Sequence, residues 1–168
     1  MPVVTVRARG ITLERLVFKV AGGLVPGLVE RTLEANPDLA QASDEDCRAA
    51  GMSRQKARYG RALAQSNIDF DALRDMPDAQ VVATLTAVPG IGTWTAEIYA
   101  MFALGRADVF APGDLALQEG ARLLFDLPER PRKRDLRTLA LRWSPWRAVA
   151  ARLLWAYYRV AKQREGIR

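Results

Sequence analysis

The sequence predicts an all-α fold. Apolar residues recur every three or four positions along most of the chain, the spacing of one helix face. Ser, Asp, Gly and Pro sit where such runs begin and end. The one β-like run, Val3-Val4-Thr5-Val6, is too short to build a sheet by itself. A chain of 168 residues buries one core well, as a single domain over 1–168 or as two small lobes sharing that core.

The first predicted helix covers Thr12–Ala21, with Leu13, Leu16, Val17 and Val20 at helix spacing. Gly22-Gly23 and Pro26-Gly27 break it, and a second runs Leu28–Ala35, up to Asn36-Pro37. Ser43 reads as an N-cap, with Asp44, Glu45 and Asp46 in the first turn of a helix that stops at Gly51. Ser53 caps Arg54–Gln65. A short helix over Asp71–Met76 follows, then one over Asp78–Ala87. The next begins near Thr93, and later ones cover Leu115–Phe125, Arg134–Arg142 and Pro145–Arg164. The last has Ser144 as N-cap and Pro145 at its first position. No repeat, low-complexity tract or long linker interrupts the series.

Charge narrows the partners. The net charge is +6, but residues 129–168 carry 12 Lys/Arg against 3 Asp/Glu, while residues 1–128 carry 13 against 16. That is a directed positive surface, and nucleic acid is its natural partner. The four cations Arg54, Lys56, Arg58 and Arg61 on one predicted helix read as solvated surface. A single cysteine, Cys47, excludes an intramolecular disulfide framework, a zinc finger and a cysteine-ligated iron–sulfur cluster. MPVVTVRARG has no apolar core of signal-peptide length, and no later segment is long enough to span a membrane. The expectation is a cytoplasmic, nucleoid-associated protein.

The most informative stretch runs from Leu85 to Asp114. Pro89-Gly90-Ile91-Gly92 forms a glycine hairpin between two apolar helical segments, together about 78–105. Gly90 and Gly92 permit backbone angles closed to other residues and let a phosphate approach the main chain. A helix starting near Thr93 turns its free N–H groups and positive dipole end toward that hairpin. Asp114, a lone carboxylate, follows a Pro-Gly corner twenty residues beyond Trp94. Phosphate grip, aromatic and carboxylate together point to chemistry on a nucleic-acid backbone sugar. Taken singly, Asp114 reads as an N-cap, and Trp94 and Ile98, one turn apart, read as core.

On the last helix, Val149, Ala150, Leu153, Tyr157, Val160 and Ala161 share one side, the expected core stripe. Trp155 points the other way, among Ala148, Ala151, Arg159 and Lys162. It is either a platform in a cleft or a packing residue of a helix buried all round.

Four runs carry a family resemblance: Gly51-Met52-Ser53-Arg54-Gln55-Lys56-Ala57-Arg58-Tyr59, then VPGIGTWTAEI, then DVFAPGD, then Trp143-Ser144-Pro145-Trp146-Arg147. In this order they resemble the helix-hairpin-helix DNA glycosylases, in particular the bacterial 3-methyladenine DNA glycosylase II branch. The resemblance covers about Ser43 to Tyr158. It implies two helical lobes around a cleft, base flipping, and hydrolysis of the N-glycosidic bond in base excision repair. It implies that Asp114 is the catalytic carboxylate and that Trp94, Ile98 and Trp155 line the base pocket. It further implies that backbone at Gly90, Gly92, Thr93, Trp94 and Thr95 holds a DNA phosphate. Main-chain carbonyls of Thr86, Val88 and Ile91 would coordinate a structural Na+ or K+, with no cofactor needed for catalysis. The partner is double-stranded DNA containing damaged bases, and the protein is expected to act as a monomer.

Elementary chemistry fits those implications. Breaking the glycosidic bond builds positive charge on the sugar, which an ionised carboxylate stabilises. The chain has no histidine, so any general acid must be a carboxyl, Lys or Tyr. Leaving bases that are already cationic, such as 3-methyladenine and 7-methylguanine, need little protonation, and an indole attracts them through cation–π contact. Bifunctional relatives have a lysine nucleophile where this chain has Trp94, so no Schiff base and no strand cleavage are expected. The first forty residues match poorly: Gly22-Gly23-Leu24-Val25-Pro26 replaces a more polar segment, with Leu24 aligned as the wedge that fills the gap left by a flipped nucleotide. Ile98 stands where some members have tyrosine, and Gly113 where some have a second acid. The competing class is a non-catalytic or degenerate helix-hairpin-helix DNA-binding module, in which a carboxylate near phosphates has no purpose.

Overall fold

The computed structural model describes residues 27–164; the helix expected over Thr12–Ala21, and Leu24 with its segment, lie outside the described residues. Every regular element among the described residues is helical. The chain divides into two compact units, one of residues up to Met76 together with Ala83–Ile91, the other of Pro77–Val82 and Gly92 onward.

The first unit holds α1 (Leu28–Glu34), a 3-10 turn at Pro37–Ala40, α2 (Asp44–Ala49), α3 (Arg54–Gln65) and a second 3-10 turn at Ala72–Arg74. The expected signals set these boundaries. Ser43 and Asp46 form a reciprocal capping box, Asp46 N donating to Ser43 Oγ at 3.1 Å and Ser43 N to Asp46 Oδ2 at 3.3 Å. Gly51, at φ +82, ends α2: its N–H returns to the Arg48 carbonyl and that of Met52 to the Cys47 carbonyl. Ser53 Oγ accepts the Lys56 N–H and starts α3. Arg61 then ties α3 back to Asp44 at 2.5 Å and to the Ala42 carbonyl at 2.9 Å. The segment expected as a helix over Asp71–Met76 is only the single 3-10 turn.

Helix α4 (Asp78–Thr86) has residues in both units and buries Val81 and Leu85. The second unit continues with α5 (Thr93–Phe102), α6 (Leu115–Leu124), α7 (Lys133–Ala140), a 3-10 turn at Leu141–Trp143 and α8 (Arg147–Arg164). Its core is Ala96, Ala100 and Met101 of α5, Leu117 and Ala121 of α6, Leu136 of α7 and Leu154 of α8. Helices α6 and α8 pack along each other at Gly120, where an added Cβ would lie 3.0 Å from the Leu154 carbonyl oxygen and 3.3 Å from Tyr158 Cβ. Any side chain there would force the neighbouring backbone to give way, so the approach favours glycine.

Two expectations for the last helix are overturned. Its buried face is Ala148, Ala151 and Leu154, whereas Val149, Leu153, Tyr157 and Val160 of the expected core stripe are exposed, Leu153 at 67%. Small side chains and the facing Gly120 select the packed side, because backbone approach decides this contact rather than the largest apolar stripe. Trp155 therefore sits on the packed side and is half-buried. Ser144 does not cap the helix either. It ends the 3-10 turn, α8 begins at Arg147, and the Ser144 hydroxyl donates to Asp108 Oδ2 at 2.8 Å.

Candidate active site

Asp114 is built into the start of α6. Its N–H returns to the Ala111 carbonyl at 3.0 Å, closing the Pro112-Gly113 corner, and buried Gln118 fixes that corner by donating to the Pro112 carbonyl at 2.8 Å. With φ −76 and ψ 123 it is the N-cap of α6, and its Oδ1 accepts the Ala116 and Leu117 N–H groups at 2.9 and 3.0 Å.

Capping does not exhaust the carboxylate. Trp155 Nε1 of α8 donates to Oδ1 at 3.0 Å, and Trp94 Nε1 of α5 donates to Oδ2 at 3.1 Å. Residues 20 and 41 positions from Asp114 thus converge on it. Oδ1 accepts three donors and Oδ2 one, which leaves Oδ2 the larger unused accepting capacity.

Both indoles are positioned by neighbours. Trp155 lies 5.7 Å from the Phe102 ring at a 33° tilt, and Arg152 covers the same phenyl ring at 5.0 Å. Trp94, Ile98 and Phe102 follow one another at four-residue spacing on α5; Trp94 is 41% exposed and Ile98 half-buried. Phe102 was legible in that spacing but carried no motif. The Lys133 stem lies 3.9 Å from the space a Cβ on Gly113 would occupy, beside Trp94.

The loop before Asp114 is fastened at Asp108. Arg147 donates to both of its oxygens, Nε at 2.7 Å and a terminal nitrogen at 3.0 Å. Arg147, with Ser144 assisting, holds the Asp108 carboxyl below the usual range against a smaller opposing effect of burial. On α5, buried Glu97 accepts from Arg137 at 2.6 Å, while its Oε2 has no partner among the described residues. Burial pushes the Glu97 carboxyl up, and Arg137 opposes that shift. Sequence reasoning missed these two pairs: two arginines of the basic C-terminal surface serve internal carboxylates.

At the hairpin, Gly90 has φ +96 and the Ile91 N–H donates to the Val88 carbonyl at 3.1 Å. Gly92 is the N-cap of α5 and offers no side-chain cap, so the first-turn N–H groups of Thr93, Trp94 and Thr95 keep their donors. Thr86 is the last residue of α4. No group of metal-ligating side chains occurs among the described residues, and no helix there is long and apolar enough to cross a membrane.

Comparison with known proteins gives the family. The family model of the HhH-GPD superfamily of base excision DNA repair proteins matches residues 9–146. The chain belongs to this superfamily. Among its relatives are the putative DNA-3-methyladenine glycosylase YfjP of Bacillus subtilis, 30% identical over 70% of this chain and 42% of that protein, and DNA-3-methyladenine glycosylase 2 of Escherichia coli, 31% identical over 70% and 40%. The chain therefore spans less than half the length of these curated relatives. A Bacillus halodurans DNA-3-methyladenine glycosidase structure superposes with a TM-score of 0.65 at 35% identity, over 84% of this chain and 64% of that one. The Schizosaccharomyces pombe 3-methyladenine DNA glycosylase Mag1 shares the fold, with a TM-score of 0.64 at 24% identity over 91% and 85%.

Proposed function

We propose that this HhH-GPD protein is a monofunctional DNA glycosylase that hydrolyses the N-glycosidic bond of alkylated bases, 3-methyladenine and 7-methylguanine among them, in double-stranded DNA. The observation that carries the reading is the convergence of two indole N–H groups on the helix-capping carboxylate of Asp114. A cap needs only the two backbone amides. The indoles add a fixed orientation and aromatic walls for a flipped base. They also leave Oδ2 lone pairs to face the positive sugar as the base departs. Names of relatives as DNA-3-methyladenine glycosylases support the substrate class.

In this reading Asp114 is the catalytic carboxylate, Trp94, Ile98 and Trp155 form the base pocket, and backbone at Gly90, Gly92, Thr93, Trp94 and Thr95 holds a phosphate of the DNA. Leu24, the wedge of the resemblance, keeps that assignment. The carbonyls of Thr86, Val88 and Ile91 fit an alkali cation in their chemistry: they are hard oxygens at and just beyond the negative end of α4, each with two lone pairs. Such a cation would neutralise charge at the hairpin and take no part in bond breaking. The protein acts as a monomer with neither membrane attachment nor an iron–sulfur cluster, in the cytoplasm on the nucleoid.

The test is incubation with methylated duplex DNA and identification of the released bases. Release of 3-methyladenine with an intact abasic strand is expected. DNA binding without any base release would favour the non-catalytic module instead.

A further inference from the structure

The four cations of α3 have different surroundings. Arg61 is tied to Asp44 and to the Ala42 carbonyl. Arg58 has no carboxylate within 4.0 Å among the described residues; it rests on an aromatic. Its guanidinium lies 4.9 Å from the centre of the Tyr59 ring, and one terminal nitrogen donates to the Tyr59 hydroxyl at 3.2 Å. Gln55 Nε2 donates to the same hydroxyl at 3.1 Å. With both bonds arriving at oxygen, the hydroxyl proton remains free to donate outward.

The same ring lies against the hairpin. A Cβ on Gly90 would meet Tyr59 Cδ1 at 2.5 Å and Cδ2 at 2.8 Å, so the ring is seated on the glycine α-carbon. Gly90 thus answers two demands, a left-handed backbone at φ +96 and direct contact with an aromatic. One tyrosine holds both the hairpin turn and an arginine that lacks a carboxylate partner.

We propose that Arg58 is a second backbone-phosphate contact beside the hairpin, and that Tyr59 is the positioning residue that holds Arg58 and the Gly90 turn together. The ligand is a phosphodiester of duplex DNA beside the Gly90 turn, on which Tyr59 is seated. The proposal rests on the DNA reading above and extends its footprint by one phosphate onto α3. An arginine held this way loses little freedom on binding, and its unused N–H groups match a phosphate in geometry.

Equilibrium binding of a short undamaged duplex, measured across a salt series, tests it with wild type, Arg58→Ala, Tyr59→Phe and the charge-matched Arg48→Ala. Each phosphate contact contributes about 0.9 to the slope of log affinity against log salt. Arg58→Ala should lower the slope by about that amount and weaken binding several-fold at low salt, with an unchanged melting midpoint. Arg48→Ala should leave the slope at the wild-type value. Tyr59→Phe keeps the ring on Gly90 but removes the hydroxyl that fixes the guanidinium, so it should lower affinity alone and add nothing to Arg58→Ala. A wild-type slope in Arg58→Ala would overturn the Arg58 contact, and a Tyr59→Phe effect that adds fully to it would overturn the positioning role. Wild type without salt-dependent binding would overturn the DNA reading itself.

Discussion

Arg147 grips Asp108 with two parallel N–H···O bonds, at 2.7 and 3.0 Å, and so joins the start of α8 to the loop that carries Asp114. Both residues belong to motif runs whose roles the sequence left blank. The Asp108 carboxyl is held below its usual range, chiefly by the Arg147 hydrogen bond. A depressed acid contributes stability above its unfolded value, and that contribution is lost as pH falls through the folded one. Asp108→Asn should therefore flatten the acid limb of the stability curve below about pH 4. At neutral pH it should cost roughly 1–3 kcal/mol, since Arg147 is left half-buried with a weaker partner. Urea unfolding of both proteins across pH reads this directly, and parallel curves would exclude the linkage.

Glu97 has the opposite sign. Burial raises its carboxyl value despite Arg137, so the folded state holds this proton more tightly than the unfolded chain does. Stability from this group is full below the ordinary glutamate range and declines as pH rises through the raised folded value. The stability of wild type relative to Glu97→Gln should therefore be greatest in acid, fall just above the usual glutamate range, and then level off. A difference independent of pH would mean that folding does not raise the Glu97 carboxyl.

Elements with local signals were legible in the sequence. Ser43 and Asp46 specify their capping box within four residues, and Arg54–Gln65 is bounded by its own cap. Asp114 and Trp94 were also within reach, because both lie in motif runs, while Trp155 stood out only by its direction on the last helix. What escaped depends on contacts between distant segments. Periodicity alone assigned the Val149 stripe to the core, yet a single glycine on α6 decides which face of α8 packs. The same contact puts the side that Trp155 shares with Ala148 and Ala151 against α6. Ser144 looked like a cap because its competitor, the Asp108 carboxylate, lies 36 residues earlier in the chain.

Gly120 is the clearest test of that packing. Alanine there brings a Cβ within 3.0 Å of the Leu154 carbonyl oxygen, which belongs to a helix backbone and cannot swing aside. Gly120→Ala should cost about 1–3 kcal/mol through overpacking, and Gly120→Val more. Both should impair base release beyond the loss of folded protein, because α8 carries Trp155 to Asp114. Activity per folded molecule equal to wild type would separate the helix contact from the site.

The chemistry itself turns on Asp114→Asn. The amide keeps the shape and an oxygen for the Ala116 and Leu117 amides, so the α6 cap and the melting midpoint should change little. On the other side, an amide nitrogen facing the Trp94 N–H would oppose donor to donor, while an oxygen there would lose the full charge. Either way the sugar cation meets no carboxylate. Loss of such a preorganised charge typically raises a barrier by roughly 3–4 kcal/mol, about 10²–10³ in rate. Duplex binding should persist and tighten slightly, since a charge that repels phosphates is gone. Under the proposed monofunctional reading, borohydride should trap no covalent DNA complex with either protein. Base release at the wild-type rate from Asp114→Asn would remove the carboxylate from the mechanism, and a trapped adduct would replace hydrolysis with amine catalysis.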